Sequence, residues 1–332
     1  MAPLRAPFPW FGGKSRAASA IWLAFGHVSN YVEPFAGSLA VLLARPGTPT
    51  TETVNDLDGF ISNFWRALQA DPEAVIAACD WPVNETDLHA RHAWLVRQRL
   101  DLTERLMGDP EFFDARIAGW WVWGLCQWIG RGWCSGEGPW VQQDGQLTHL
   151  GDAGQGVHRQ LTHLGDAGRG VHRQLTHLGT AGQGVHRKLT HLGNAGRELL
   201  ALAARLRFVR VACGDWTRVL GPSVTHKHGA TGILLDPPYP SSEHAADYSV
   251  TSDVWDAVVD WCEQEGGHPD LRVVLCGYDG CRAPAGWRVQ SWKAQGGYGS
   301  QGTGRGRANA RRETLWLSPA CLTQPSLFEA TA

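Results

Sequence analysis

The chain has no apolar run close to the ~20 residues that a membrane-spanning helix needs. Its opening stretch, Met1 to Lys14, also lacks the basic-then-apolar order of a secretory signal. The expectation is a soluble, cytoplasmic protein with no membrane partner. Its eight cysteines include no C-x-x-C pair, which argues against a zinc ribbon and a small disulfide framework and leaves reduced, mostly buried thiols. An excess of charge is missing too: 30 basic and 32 acidic side chains give a formal net charge of -2, so a polyanion would have to be met by a local patch. Lysine is scarce, four against 26 arginines, a ratio to which we attach no function. What is present is length and apolar content. The 332 residues, 43% of them hydrophobic, can bury a full core and fill roughly two domains, and 17 tryptophans are an unusual number.

The strongest internal signal is a repeat. From Gln146 the chain reads QLTHLGDAGQGVHR, QLTHLGDAGRGVHR, QLTHLGTAGQGVHR and a truncated KLTHLGNAGR, a period of 14 spanning 146–197. Each copy joins a short alternating stretch to a glycine turn, a strand-then-turn pattern. Six basic residues (Arg159, Arg169, Arg173, Arg187, Lys188, Arg197) and two acidic ones (Asp152, Asp166) make the segment about +4. Around it the punctuation is α/β: a helix is expected over Phe60 to Ala70, another over Asp87 to Leu106, strands at Phe208–Ala212, Gly232–Leu235 and Leu271–Leu275, and a helix from Val254 to Glu263. Between 119 and 140 the chain is rich in tryptophan, and packing is the preferred reading of Trp120, Trp121, Trp123, Trp128, Trp133 and Trp140 over base stacking.

The most informative letters are Leu234-Leu235-Asp236-Pro237-Pro238-Tyr239. An apolar strand ends in an acid, two prolines that stiffen the chain, and an aromatic ring. In an open α/β sheet ligands bind at the carboxyl ends of strands. An acid and an imide carbonyl there suit an exocyclic amine: Asp236 would accept one N6 proton of adenine, the Pro237 carbonyl the other, and Tyr239 would stack on the base. Further pieces fit a nucleoside cofactor. Gly37, after a short apolar strand, lets backbone approach a ligand. Asp56, about twenty residues on, can hold ribose hydroxyls. Lys14, in a glycine turn beside Trp10, can meet a carboxylate while the indole packs on a cationic centre.

The D-P-P-Y motif resembles that of amino-group DNA methyltransferases, and the rest of the chain is similar to the D12 (Dam-like) class of DNA adenine methyltransferases. Phe8-Pro9-Trp10-Phe11-Gly12-Gly13-Lys14 resembles that class's N-terminal cofactor motif, Tyr31-Val32-Glu33-Pro34-Phe35-Ala36-Gly37-Ser38 its glycine loop, and Asn55-Asp56-Leu57-Asp58 its acidic motif. Asn63-Phe64-Trp65-Arg66-Ala67-Leu68 continues the likeness, Cys213-Gly214-Asp215-Trp216 lies where the class touches the cofactor adenine, and Arg311-Arg312-Glu313-Thr314-Leu315 resembles its last core strand. One position departs. The class usually has a second glycine two residues after Gly37, where this chain has Leu39, which would either narrow the cofactor pocket or pack against the following helix.

The resemblance implies a Rossmann-like sheet that binds S-adenosylmethionine and methylates N6 of a flipped-out adenine at specific sites in double-stranded DNA, without metal. Asp236, Pro237, Pro238 and Tyr239 would form the catalytic motif, and Trp10, Gly12, Lys14, Glu33, Phe35, Gly37, Asp56, Asp215, Trp216 and Asp236 would hold the cofactor. The implied organisation is a catalytic domain in two parts, 1–75 and 205–320, split by a target-recognition region at 76–204 and followed by a tail, 321–332. DNA contacts are expected from Arg159, Arg173 and Arg187 in the repeat, which has a slippage-expanded loop as its alternative, and from Arg305, Arg307 and Arg311 in a glycine-rich basic stretch. Seven histidines in the repeat, alternately nine and five residues apart and without acidic partners, make a poor metal site. Gln324-Pro325-Ser326-Leu327-Phe328 resembles the short peptide that docks bacterial proteins on the DNA sliding clamp. The rival functions are methylation of cytosine N4 and non-catalytic DNA binding on the same fold.

Overall fold

The computed structural model describes residues 4–10, 12–48, 50–128, 133–134, 140–143, 146–149, 194–239, 254–292 and 313–323. Seven strands form one sheet: β1 (Asn30–Glu33), β2 (Thr51–Asp56), β5 (Arg210–Cys213), β6 (Thr231–Leu235), β7 (Leu271–Tyr278), β8 (Arg288–Ser291) and β9 (Glu313–Leu317). Their order is β5-β2-β1-β6-β7-β9-β8. The first five are parallel to one another, and β9 runs antiparallel between β7 and β8. The central strands β1 and β6 are buried end to end, as parallel strands covered on both faces must be.

Side-chain alternation divides these strands between two cores. Tyr31, Val54, Leu234, Val274, Cys276 and Leu315 face one apolar cluster. Val32, Ile233, Leu235, Val273, Leu275 and Trp316 face the other. The second face is covered by α8 (Trp255–Glu265) through Trp255, Val258, Val259 and Cys262, with a 3-10 turn at Trp216–Val219 beside it. The first takes the other described helices: α1 (Ala18–Phe25), α2 (Ala40–Leu43), α3 (Gly59–Ala70), α4 (Pro72–Cys79), α5 (Glu85–Gly108), α6 (Ala115–Gln127) and α7 (Asn194–Leu206).

Local chemistry sets where these helices begin. Asp58, Asp71, Asn84 and Asp114 each accept a backbone N–H of the first turn, satisfying amides that the helix leaves unpaired. Asn63 of α3 locks the entry to α6 by donating to the Asp114 carbonyl and accepting the Asp114 N–H, both at 2.8 Å. A side chain on Gly119 would meet Ala78 at 2.4 Å, so glycine permits the close approach of α6 to α4. Trp121, Trp123, Trp128 and Trp133 are buried in this cluster, in agreement with the packing reading. The buried Arg91 guanidinium sits 4.4 to 4.8 Å from the ring centroids of Trp81, Trp120 and Trp123, a cation–π cage binding α5 to α6.

The helices and strands expected outside the repeat occur, with ends shifted by a few residues. The first repeat copy opens as a strand, β4 (Gln146–His149), antiparallel to β3 (Trp140–Gln143). The rest of the repeat to 193, including Arg159, Arg173 and Arg187, lies outside the described residues, as do Arg305, Arg307, Arg311 and Gln324 to Phe328. Among the described residues no helix is long and apolar enough to cross a membrane. None of the eight cysteines, all among the described residues, forms a disulfide, and seven of them are buried.

Candidate active site

From β1 the chain moves outward to β2 and β5 on one side, and from β6 to β7 on the other. The strand order therefore reverses between β1 and β6, and the crevice beyond their carboxyl ends is where an open sheet receives a ligand. A cleft opens there, lined by the ends of β1, β2, β5 and β6 and by the turn carrying Trp10 and Lys14.

The loop after β1 is held rigidly. Ala36 N–H donates to the Asn55 carbonyl at 2.9 Å, Gly37 N–H donates to Asp56 Oδ2 at 3.0 Å, and Trp65 Nε1–H of α3 donates to the Gly37 carbonyl at 2.9 Å. Gly37 has φ +45°, and a Cβ there would fall 2.6 Å from Trp10 Nε1. Both its conformation and the indole above it therefore require glycine. Leu39, where the related class has glycine, also adopts a left-handed backbone, φ 55°. Its side chain is completely buried in the apolar cluster, so it packs into the core and does not narrow the cleft.

At the end of β2, Asp56 Oδ1 accepts the Asp58 N–H at 2.9 Å, so both of its oxygens are oriented by backbone. Burial nevertheless dominates and pushes its carboxyl up to about 7. Asn55 donates to the Pro34 and Gly214 carbonyls, tying the β1 loop to the segment after β5. Asp215, exposed, caps the 3-10 turn by accepting from Thr217 N–H at 3.0 Å. Trp216 stacks on Phe35, with centroids 6.1 Å apart and planes at 24°. Asn55 Oδ1 and Asp58 Oδ2 are buried acceptors without a partner on residues that line the cleft. A ligand bearing hydroxyl or amine donors matches such a lining.

On the β6 side, Asp236 and Pro238 line the same cleft. Lys14 reaches across: its Nζ lies 2.9 Å from Asp236 Oδ2 and donates to the Gly12 carbonyl at 2.7 Å. The lysine expected to meet a cofactor carboxylate thus pairs with an acid of the chain itself. Tyr239 O–H faces Asp236 Oδ1 at 3.0 Å and Glu313 Oε2 at 3.3 Å. Its ring is buried edge-on against Tyr278, with centroids 4.7 Å apart, and against Trp255. To stack on a base, that ring would have to leave this setting. Glu33, at the end of β1, accepts the Tyr31 hydroxyl at 3.0 Å, and burial raises its carboxyl well above the usual range despite that bond.

The structure therefore gathers Trp10, Lys14, Glu33, Phe35, Gly37, Asp56, Asp215, Trp216 and Asp236 around one cleft, with Gly12 beneath Lys14 and Pro237 buried beside the acid. Sequence reasoning passed over Tyr31, Asn55 and Glu313 as participants. Each is polar and lies inside a motif stretch whose resemblance gives the role to another residue or to none, so only its neighbours reveal its part. The sheet is mixed, seven-stranded and mostly parallel, consistent with a Rossmann-like methyltransferase fold. No curated protein sequence matches the chain. Residues 10–103 match the family model described as D12 class N6 adenine-specific DNA methyltransferase, which bears out the resemblance read from the motifs and supports DNA adenine methylation as the general class of activity.

Proposed function

We propose that the protein transfers the methyl group of S-adenosylmethionine to N6 of an adenine turned out of double-stranded DNA, at specific sites. The observation that carries this reading is the sharing of one cleft by Asp236 and Pro238 with Gly37 and Asp56. When bound, S-adenosylmethionine supplies an electrophilic methyl sulfonium. Asp56 is oriented to accept ribose hydroxyls, the Phe35–Trp216 pair offers an aromatic surface for an adenine, and Glu33 and Asp215 add carboxylates for cationic or hydroxyl groups. Trp10 walls the cleft over Gly37.

Asp236 and the Pro237 carbonyl accept hydrogen bonds from the two amine N–H groups of the target base. That polarises the nitrogen lone pair toward the methyl donor, a charge-assisted bond at the carboxylate being the stronger of the two. Lys14 orients Asp236 through its 2.9 Å contact with Oδ2. An extrahelical base is required because N6 of a paired adenine is out of reach. The basic repeat and the Gly296–Arg312 stretch supply the charge for phosphate contacts, and the Gln324–Phe328 peptide a docking point on a sliding clamp.

The decisive experiment treats unmethylated DNA with the protein and labelled S-adenosylmethionine and analyses the nucleosides by mass. N6-methyladenine is expected. N4-methylcytosine would select the cytosine rival, and no transfer to any DNA would leave a binding protein. Asp236→Ala should abolish transfer in a protein that still folds, at a lowered melting temperature because the buried Lys14 loses its Asp236 partner; full activity in that variant removes the assigned role.

A further inference from the structure

We infer that Glu313 is a positioning residue for this transfer: it competes with Asp236 for the single proton of the Tyr239 hydroxyl and so leaves Asp236 Oδ1 open to the substrate amine. The inference rests on the reading of Asp236 as the group that accepts the amine. A phenol has one O–H to donate. Two carboxylates face it here, Asp236 Oδ1 at 3.0 Å and Glu313 Oε2 at 3.3 Å. Asp236 Oδ2 is already held by Lys14 at 2.9 Å, so Oδ1 is the oxygen in contention for an incoming N–H. While Tyr239 donates to Oδ1, part of the acid's charge is spent inside the protein. When the proton turns to Glu313, that charge is returned to the amine.

The fold fixes Glu313 for this competition. It is the first residue of β9, in register with Tyr278 of β7, and it is only 6% exposed. Tyr278 in turn packs edge-to-face on Tyr239, so both ends of the O–H contact are set by the same pair of strands. A carboxylate at low dielectric draws a hydroxyl proton strongly. A carboxamide does the reverse: it accepts more weakly, and its NH2 can donate to the phenol oxygen, directing the phenol proton to Asp236.

The test is a double-substitution cycle read by single-turnover methyl transfer to DNA, alongside cofactor affinity and thermal melting. Glu313→Gln should slow transfer by about tenfold or more while cofactor affinity stays within about twofold. Tyr239→Phe, which has no proton to share, sets the reference rate of a second background, and in it Glu313→Gln should change that rate by less than about twofold. Equal loss in both backgrounds would mean a merely structural glutamate and overturns the inference. So does an unaffected single variant, or a folded Tyr239→Phe protein that binds cofactor but transfers nothing. If Glu313→Gln does not fold, Glu313→Asp takes its place, keeping the charge with a shorter reach, and its loss must likewise vanish with Phe at 239. Methylation by the unaltered protein tests the activity itself, so failure of that reading and failure of this inference are told apart.

Discussion

At the scale of single residues, the cleft is a place where burial and catalysis pull against each other. Asp56 and Glu33 both have carboxyls raised by desolvation, so the folded protein binds protons there that the unfolded chain has already released. For Asp56 this holds between about 4 and 7, and stability accordingly falls as pH rises through that window and is level above it. Asp56→Asn should remove its part of the fall, gaining about 1 kcal/mol on the unaltered protein between pH 5 and 8 in thermal melts, less than the full shift because the carboxylate still meets solvent. A bound cation reverses the balance by favouring the ionised acids. Affinity for S-adenosylmethionine should therefore rise with pH up to about 7 and be accompanied by proton release, measurable by calorimetry in buffers of different ionisation enthalpy. Gly37→Ala should lower cofactor affinity by about tenfold or more, since its methyl group would displace the Trp10 indole and its backbone sits at positive φ.

At the scale of elements, two contacts decide how the cleft is framed. Leu39 begins α2 in a left-handed conformation that costs roughly 1–2 kcal/mol, yet its side chain is wholly buried. Leu39→Gly should still destabilise the protein, because the core loses a leucine worth about 2–5 kcal/mol and regains only the strain. Denaturant unfolding measures the difference. At the opposite end of the strands, Arg205 of α7 holds Glu52, near the start of β2, through two bonds of 2.7 Å, and Arg45 meets the same carboxylate at 3.2 Å. This network ties the helix that follows the repeat to the sheet. Arg205→Ala should cost about 2–3 kcal/mol, toward the low end for a buried pair because Arg45 remains, with transfer per folded molecule unchanged.

At the scale of the whole molecule, the helices on either side of the repeat belong to the main core. α6 packs on α3 and α4, and α7 packs on the same two helices. Replacing residues 150–193 by a short glycine–serine linker should therefore leave melting temperature and cofactor affinity near those of the intact chain. Loss of the deleted segment's net charge of about +3 should weaken DNA binding and flatten its salt dependence, giving a smaller slope of log affinity against log salt concentration. An unchanged slope would show that the repeat makes no phosphate contacts.

The sequence by itself determined the elements and the main acids of the cleft, because both are written locally. Short apolar runs such as Gly232–Leu235 and Leu271–Leu275 read as buried strands, and the acids lie at strand ends in spacings that survive any detail of packing. The strand order, the placement of seven described helices on one face, and the conversion of Leu39 from a suspected obstruction into a core residue were decided only by tertiary structure. So were the Lys14–Asp236 pair and the Asp236–Tyr239–Glu313 contact. Those contacts join residues as far apart as 14 and 236, or 239 and 313, and depend on which strands become neighbours. Side chains with no preferred spacing meet only after the sheet has closed around them.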